Sequence, residues 1–336
     1  MVRSCSLPST GKLDPSFRTC RASNSIPSAS AATATKVTIL LDWTPNPDHV
    51  GLFYAQDEGL FAKRGLDVSI KTPSDPTTAL KLVAAGKVEY AVTYEQELFF
   101  AAAKKLPVVA VAAIVPRPLN SIMAIDPQIK TVRDLKGKTI GVTGVPSDDA
   151  SLDTALAHAG LSLSDVKVVH VGYNLLPALL SHRADAVLGV YRNVEGIELQ
   201  QRGFHPTVIP LDRAGVPTYD ELVIAASADR LRSDPAYAAE TKRFVAGFLA
   251  GTAAARTHLQ TSLSVLQKAT ASSEKFLAAA TPATLSLLSG PGGVGCMKAS
   301  AWAKFGAWML ARGLLATAVP AKDVMTTAFL PARCKG

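Results

Sequence analysis

The sequence predicts an α/β protein of two lobes, joined by a two-crossing hinge, with a ligand cleft between the lobes. Three observations predict this fold. The chain has 336 residues, of which 48% are hydrophobic and 18% charged, so it can bury more core than one compact domain needs. Strand-like and helix-like segments alternate in two series, with connections long enough for parallel crossovers. Proline-bearing stretches separate the two series and mark the crossings.

The first series begins at Lys36 with the apolar strand "KVTILLDW". Asn46 can cap a helix whose first residue is Pro47, and Asp48 then lies in the first turn, where the helix dipole favours an acid. This helix ends at Gly59. The alternating segment "LDVSI" follows as a second strand, so the unit has the order strand, helix, strand.

The same order continues along the chain. A helix over residues 76–85 leads into the strand "VEYAVTY", and a helix over residues 95–104 leads into the strand "PVVAVAAIV". After "IVPRPLNSIMAI", a second series runs over about residues 122–211 and alternates the strands "KTIGV", "VKVVHV" and "ADAVLGVY" with helices. Apolar spacing predicts the remaining helices over residues 235–257, 261–280 and 298–312.

These segments divide most of the chain into two lobes. Lobe 1 is discontinuous and comprises residues 36–117 and 214–336, and lobe 2 comprises residues 118–213. The two crossings, near residues 116–120 and 211–217, predict a hinge that closes on ligand. Because ligands of such sheets bind beyond the carboxyl ends of strands, the residues that follow each strand are the first candidates for a binding site.

Residues 1–35 differ from the rest and are expected to be a targeting or disordered segment. They are rich in Ser, Thr and Ala, carry four basic residues and have Asp14 as the only acid. They lack the apolar stretch of a secretory signal and are typical of an organelle transit peptide; a disordered extension, or a mis-assigned start that hides a true signal, are equal alternatives. The localisation stays open between a bacterial periplasm or other extracytoplasmic space and a plastid or mitochondrion.

Composition and motifs argue against several classes of protein. No apolar run reaches the roughly 18 to 20 residues of a membrane-spanning helix, so a soluble chain is expected. The formal charge of +8 comes from scattered Lys and Arg without an aromatic-interleaved basic stripe, which disfavours nucleic acid as a partner. The segment "GVTGVPS" could hold a phosphate or a carboxylate on backbone N–H groups, but it is neither a Walker loop nor a complete dinucleotide fingerprint. Cys296 and Cys334 could be bridged or could be free buried thiols.

An aromatic residue and a carboxylate recur together after the predicted strands and at the return crossing. The pairs are Asp42 with Trp43, Tyr94 with Glu95, Tyr191 with Glu195, and Tyr219 with Glu221. Aromatic faces stack on flat rings, while carboxylates accept hydrogen bonds from amino groups or from a protonated ring nitrogen. Packing at a lobe edge explains any single residue equally well. The repetition favours a site for a small, planar, amino-bearing heterocycle.

Five segments carry a resemblance to a known family: "LDWTPNPDHVGLFYAQDEGLFAKRGLDV", "VTYEQELFFAAAKKLPVVAVAAIV", "LKGKTIGVTGVPSDDASLD", "GVYRNVEGIEL" and "GVPTYDELVIAAS". Together they resemble the thiamin-pyrimidine-synthase-like family of periplasmic substrate-binding proteins, in its thiamin-pyrimidine-binding branch. The resemblance covers about residues 36–330 and implies a type II periplasmic-binding-protein fold. At "TTAFLP" the chain departs from the family's closing motif.

The resemblance implies two alternative functions. Bacterial members are similar to carriers that deliver pyrimidines related to hydroxymethylpyrimidine, a thiamin precursor, to an ABC-type importer or to thiamin salvage. Fungal members make hydroxymethylpyrimidine phosphate, taking atoms from pyridoxal phosphate and from one of their own histidines, in an iron-associated reaction. The Cys-rich run of the fungal proteins has no counterpart around "GVPTYDELVIAAS". We therefore expect a solute-binding protein without a cofactor, with an ABC permease as its partner, and keep the synthase, with pyridoxal phosphate and iron, as the alternative.

The resemblance also implies roles for individual residues. Trp43 would stack on the pyrimidine, and Asn46 would cap its helix or contact the ligand. His49 matches a family histidine in the first turn of that helix; a carrier would use it as a polar wall or packing residue, and a synthase would consume it. No metal ligand is expected, and no catalytic residue unless His49 serves a synthase. The expected ligand-binding residues are Asp42, Trp43, Asn46, His49, Tyr94, Glu95, Gly144, Ser147, Tyr191, Asn193, Glu195, Tyr219 and Glu221.

Overall fold

The computed structural model of the protein describes residues 34–73, 78–172 and 174–335. Only the last two residues of the predicted N-terminal segment, residues 1–35, are among them. The predicted start of the second helix, at residue 76, also lies outside the described residues. Within those ranges the α/β alternation predicted from the sequence is confirmed.

Ten strands lie in the described part of the chain and form two separate sheets. The strands are β1 (Thr35–Leu40), β2 (Leu66–Lys71), β3 (Tyr90–Thr93), β4 (Val108–Val115), β5 (Asn120–Ala124), β6 (Thr139–Val142), β7 (Lys167–His170), β8 (Ala186–Tyr191), β9 (Thr207–Pro210) and β10 (Leu222–Ser227). All eight side chains of β4 are buried, as expected of a strand covered on both faces.

The two sheets share one topology. The sheet of lobe 1 has the strand order β2-β1-β3-β10-β4, and the sheet of lobe 2 has the order β7-β6-β8-β5-β9. In each sheet a single strand, β10 or β5, pairs antiparallel with both of its neighbours, and it is the strand that enters from the other lobe. The other strand pairs are parallel. Their carboxyl ends therefore meet at one edge of each sheet, where a ligand is expected.

The first seven helices in the described ranges contact these sheets, and the last four pack mainly against other helices and 3-10 turns. In chain order, the helices are α1 (Val50–Asp57), α2 (Ala79–Ala84), α3 (Glu95–Ala103), α4 (Pro146–His158), α5 (Leu175–Leu180), α6 (Glu195–Gln201), α7 (Ala228–Ser233), α8 (Pro235–Ala255), α9 (Leu259–Ala269), α10 (Glu274–Leu285) and α11 (Ala299–Ala311). None of them is both long and apolar enough to cross a membrane.

The single helix predicted over residues 261–280 is wrong, because the chain there forms α9 and α10 with a break between them. Ser273 begins α10, and its hydroxyl accepts a hydrogen bond from the backbone N–H of Phe276 at 3.2 Å. A serine that caps a new helix in this way competes with continuation of the preceding one. The helices predicted over residues 235–257 and 298–312 are confirmed as α8 and α11.

Asn46 begins the first helical segment, as predicted. Its side chain accepts a hydrogen bond from the N–H of Asp48 at 2.8 Å, and Pro47 occupies the first position. The first turn, Pro47–His49, is a 3-10 turn that continues directly into α1. The cap fixes the direction in which the chain enters this helix, and so it helps to position the residues between β1 and Asn46.

Helices α1 and α8 cross closely in lobe 1. A Cβ on Gly51 would lie 2.0 Å from Thr252 Oγ1, and a Cβ on Gly251 would lie 2.5 Å from the carbonyl oxygen of Gly51. Glycine at these two positions is therefore a packing requirement, since any side chain would push the helices apart.

The two crossings lie between β4 and β5 and between β9 and β10. The predicted lobe boundaries, after residues 117 and 213, fall within these connections and stay a prediction.

Farther along the chain, Cys296 and Cys334 form a disulfide, which decides between the two states that the sequence left open. The bridge attaches the C-terminal segment to the loop before α11.

Candidate functional site

A cavity of about 920 Å³ lies between the two lobes, where β1, β3 and β8 end. Lobe 1 contributes Asp42, Trp43, Thr44, Pro45, Asn46, Tyr94, Ser272, Ser273 and Phe276. Lobe 2 contributes Leu175, Leu176, Pro177, Leu180, Gly189, Val190, Tyr191, Val194, Glu195, Glu198, Gln201 and Arg202. Its size suits a small organic molecule, and its position is where the topology predicts a ligand, so this cavity is the candidate site.

Asp42 stands two residues beyond the end of β1 and contributes a fixed carboxylate to the cavity. Its Oδ1 is 2.7 Å from Nε2 of His49, and its Oδ2 accepts a hydrogen bond from the hydroxyl of Tyr94 at 2.9 Å. Burial by itself raises the pKa of this carboxyl, but the interactions with His49 and Tyr94 outweigh it, so the pKa of Asp42 lies below its ordinary value. Asp42 is therefore an ionised acceptor at neutral pH.

His49 lies behind Asp42 and is fully buried. Its Nδ1 accepts a hydrogen bond from the backbone N–H of Asn46 at 3.3 Å, so the ring proton is on Nε2 and points to Asp42. Both ring nitrogens are engaged by the protein. In this arrangement His49 orients the Asp42 carboxylate and does not reach the cavity.

Aromatic side chains border the cavity from both lobes. Trp43 follows Asp42 and is 48% exposed, which makes its indole the largest exposed apolar group near the site. Tyr94 and Tyr191 also line the cavity, and each uses its hydroxyl to contact a carboxylate, Asp42 and Glu221 respectively. Their rings are held in place and can pack against a flat ligand.

Glu221 connects the aromatic wall to the hinge. Its Oε2 accepts hydrogen bonds from the backbone N–H groups of Leu119 at 2.8 Å and Asn120 at 3.0 Å, and from the hydroxyl of Tyr219 at 3.2 Å. Its Oε1 accepts from Tyr191 at 3.2 Å. Burial raises the pKa of Glu221 against these donors. Because it lies on one crossing and binds the other, this carboxylate ties the two crossings together.

Glu95 is also a supporting residue. It is fully buried at the start of α3 and accepts a hydrogen bond from the N–H of Asp220 at 2.7 Å. Asp220 in turn accepts one from Nε1 of Trp302 at 2.8 Å. Burial, together with the nearby charge of Asp220, raises the pKa of Glu95 well above its ordinary value. This group stabilises the return crossing from inside lobe 1.

Gly144, in the loop after β6, and Ser147, in the first turn of α4, lie outside the cavity lining. One potential anion-binding donor of this segment is used by the chain itself, since Asp148 accepts hydrogen bonds from the N–H of Thr143 at 3.0 Å and from its hydroxyl. Burial raises the pKa of Asp148 to about 6. An internal carboxyl group thus binds Thr143, and anion binding by the rest of "GVTGVPS" stays a prediction.

Charged residues make the cavity acidic. Glu195 accepts a hydrogen bond from the N–H of Tyr191 at 2.7 Å, and burial raises its pKa. Glu198 forms an ion pair with Arg202 one helical turn later, at 2.5 Å. Among the described lining residues Arg202 is the single cation, against the three acids Asp42, Glu195 and Glu198. An amino-bearing ligand is therefore electrostatically preferred to an anion.

The cavity brings together six of the predicted ligand-binding residues: Asp42, Trp43, Asn46, Tyr94, Tyr191 and Glu195. The others, namely His49, Glu95, Gly144, Ser147, Asn193, Tyr219 and Glu221, lie outside its lining. Asn193 is buried and contacts Asp48 of lobe 1. The roles of all these residues in ligand binding stay predictions.

Several lining residues were missed from the sequence. The apolar positions of α5 read as ordinary core residues, and Phe276 with its neighbouring serines lay inside a helix that was wrongly predicted as continuous. Gly189 had a usable signal, because a glycine within a strand often marks a close approach. With φ of +109°, it would place a Cβ 3.0 Å from Thr143 and 3.1 Å from Leu175.

The sequence profile described as NMT1/THI5 like matches residues 46–262, which is more than half of the chain. The chain belongs to the NMT1/THI5-like family. The resemblance inferred from the sequence motifs is thereby confirmed.

Relatives of this NMT1/THI5-like protein are named for different functions. A protein named for thiamine biosynthesis from Haemophilus influenzae is 40% identical over 193 residues, 57% of this chain and 62% of that protein. The formylaminopyrimidine-binding protein of Halalkalibacterium halodurans is 38% identical over 214 residues, 63% of this chain and 62% of that protein. The 4-amino-5-hydroxymethyl-2-methylpyrimidine phosphate synthase THI11 of Saccharomyces cerevisiae is 29% identical over 168 residues, 49% of each chain. The matched part thus spans less than two thirds of each relative.

Solved structures confirm the fold. The alkanesulfonate-binding protein SsuA of Xanthomonas axonopodis pv. citri has a TM-score of 0.65 at 17% identity, covering 88% of this chain and all of that one (100%). A Candida albicans protein described as having the generic periplasmic binding protein fold has a TM-score of 0.60 at 17% identity, covering 88% and 96%. The NMT1/THI5-like chain therefore has the two-lobed periplasmic-binding-protein fold.

Proposed function

We propose that this NMT1/THI5-like protein is a solute-binding protein for a small amino-pyrimidine related to hydroxymethylpyrimidine. The observation that carries the proposal is the Asp42 carboxylate at the cavity, held ionised by His49 and Tyr94, with the half-exposed indole of Trp43 directly beside it. A carboxylate accepts hydrogen bonds from an amino group or a protonated ring nitrogen, and an indole stacks on the ring that bears them.

Two further findings support a pyrimidine over an anionic ligand. Three acids and one paired arginine line the cavity, so a sulfonate or a phosphate would meet net negative charge. In addition, one relative at 38% identity is named as a formylaminopyrimidine-binding protein. Together they favour an unphosphorylated aminopyrimidine.

The partner in this proposal is an ABC-type permease that receives the ligand from the closed protein, or a thiamin salvage route that consumes it. An extracytoplasmic location agrees with the disulfide between Cys296 and Cys334, since such bonds persist in oxidising compartments. The proposed binding reaction uses no cofactor.

Calorimetry tests the ligand class directly. We expect 4-amino-5-hydroxymethyl-2-methylpyrimidine or its formylamino relative to bind with micromolar or better affinity, and an alkanesulfonate not to bind. Heat from the alkanesulfonate alone would refute the assignment. Native mass spectrometry of protein purified from its own source would identify a retained ligand and its phosphorylation state.

Similarity to the yeast synthase is the observation that favours a second candidate, hydroxymethylpyrimidine phosphate synthase. The cavity does not fit pyridoxal phosphate well. Its described lining contains no lysine to bond the aldehyde, and its single arginine is already paired with Glu198. For iron, the described residues contain no group of three or more His, Cys, Asp or Glu side chains that could hold a metal ion. His49, the residue a synthase would consume, is enclosed with both ring nitrogens engaged.

The two candidates differ in a measurable product. Incubation with pyridoxal phosphate, iron and oxygen would give a synthase one pyrimidine per chain and a changed mass of the peptide that contains His49. We expect no pyrimidine and an unchanged peptide. A stoichiometric product together with a modified His49 would establish the synthase instead.

A further inference from the structure

A buried polar contact joins the two lobes next to the residues that line the cavity. Asp48 of lobe 1 accepts a hydrogen bond from Nδ2 of Asn193, in lobe 2, at 2.7 Å. The same Nδ2 lies 2.9 Å from Oγ1 of Thr284, on α10 of lobe 1, and donates to it as well. All three side chains are almost completely inaccessible to solvent. We call Asp48, Asn193 and Thr284 the interlobe clasp.

The clasp leaves two buried acceptor atoms, Asp48 Oδ2 and Asn193 Oδ1, without a donor among the described residues. An ionised carboxylate that keeps a single hydrogen bond away from water is strongly disfavoured. A proton on Asp48 neutralises the carboxylate. It also provides a hydrogen-bond donor beside the two acceptor atoms that lack one. The closed lobes therefore favour protonated Asp48, while the parted lobes, which admit water to it, favour the ionised form.

Burial and the titratable neighbours of Asp48 together set its pKa, and so the pH at which Asp48 gains or loses its proton. Burial is the main cause that raises the pKa of Asp48 from 3.8 to about 7; His49 and the hydrogen bond from Asn193 oppose the rise, and the charges of Asp42 and Glu195 add to it. When water reaches the carboxyl group, its pKa returns toward the ordinary value. Because the raised pKa belongs to the closed form, protonation stabilises closure below about pH 7, and this contribution is lost as the pH rises through 7.

We propose that the interlobe clasp depends on a proton on Asp48. With that proton it holds the lobes closed, so the protein binds its ligand more tightly in mildly acidic than in mildly alkaline solution. The clasp involves no residue that lines the cavity. It depends on the proposed function only in the choice of the test ligand. Asn193 thus acts as a positioning residue for closure.

The test compares the wild type with Asp48→Asn, whose amide is a neutral isostere of the protonated acid and supplies both an acceptor and a donor. The dissociation constant for 4-amino-5-hydroxymethyl-2-methylpyrimidine is measured by calorimetry at pH 6 and pH 8. Since each pH unit above the closed-state pKa costs about tenfold in the protonated fraction, we expect the wild type to lose up to about tenfold more affinity than Asp48→Asn over this interval. Ionisation of the ligand itself affects both proteins equally and cancels.

Two more variants complete the design. Asp67→Asn neutralises an exposed acid on β2 of the same lobe and should behave as the wild type does. Asn193→Ala removes the lobe 2 half of the clasp and should weaken binding at both pH values while reducing the difference between them. Equal pH dependence in the wild type and Asp48→Asn would overturn the proposal.

A ligand-free measurement separates failure of the clasp from failure of the proposed function. If no pyrimidine binds at any pH, the proposed function fails, and small-angle scattering of the free protein decides about the clasp. We then expect the wild type to have a larger radius of gyration at pH 8 than at pH 6, and Asp48→Asn to have the smaller radius at both. In that case, an equal radius for the wild type at both pH values would refute the clasp.

Discussion

Replacement of Trp43 by alanine tests the stacking surface of the candidate site. Trp43 is 48% exposed, which corresponds to about 120 Å² of a side chain that can bury about 250 Å². A ring that stacks on one face of the indole covers about half of that exposed area, about 60 Å². At about 25 cal/mol per Å² this burial is worth about 1.5 kcal/mol. The geometry of aromatic stacking adds about 0.5 to 1.5 kcal/mol.

Trp43→Ala should therefore weaken binding by about 2 to 3 kcal/mol, or about 30- to 160-fold in the dissociation constant. Calorimetry with 4-amino-5-hydroxymethyl-2-methylpyrimidine at one fixed pH measures this loss. Leu310→Ala is the matched control, since Leu310 is an exposed apolar residue outside the cavity lining and should change the affinity less than twofold. A loss of less than threefold for Trp43→Ala would show that the indole only packs at the lobe edge, and the stacking argument would be wrong.

Three further changes test the site and the fold. Asp42→Asn removes the ionised acceptor and should weaken pyrimidine binding by about 1.5 to 3 kcal/mol in calorimetry. Because the pKa of Asp42 is lowered, wild-type binding should lose this contribution only as the pH falls below about 4. An unchanged affinity of Asp42→Asn would exclude Asp42 as a ligand contact. Replacing both Cys296 and Cys334 by serine opens a bridge between positions 38 residues apart and should lower the free energy of unfolding in urea by about 4 kcal/mol, whereas a loss under 1 kcal/mol would contradict the chain-entropy estimate. Gly251→Ala should lower the same quantity by about 1 to 3 kcal/mol, since its Cβ would overlap the backbone of α1, and unchanged stability would refute the close crossing.

Local sequence patterns were sufficient for the order of elements in both lobes. Apolar runs and alternation located the strands because they report which faces of a segment are buried, a property carried by consecutive residues. The Asn46 cap was also predictable, since its hydrogen bond joins residues two apart. The same local reading failed at the break between α9 and α10, where helix-compatible residues on both sides concealed the Ser273 cap.

Pairing of side chains across the site was not readable from neighbouring positions. Of the pairs that the sequence suggested, Tyr219 does donate to Glu221. However, Tyr94 donates to Asp42, 52 residues away, and Tyr191 donates to Glu221, 30 residues away. After β3 the extended backbone points adjacent side chains in different directions, so Tyr94 lines the cavity while the next residue does not. Glu95, directly after Tyr94, is therefore buried against the return crossing.

By itself the sequence determined the alternating order of strands and helices, the family, and the set of polar and aromatic residues that follow the strands. Only the tertiary structure decided which of those residues line the cavity and which hold the lining residues in place. It also decided which residues join the lobes, as Asp48 and Asn193 do although they are 145 positions apart in the sequence. The physical reason is that strand and helix formation depends on residues close in the chain, whereas burial, hydrogen-bond partners and the pKa of a carboxyl depend on what surrounds it in space.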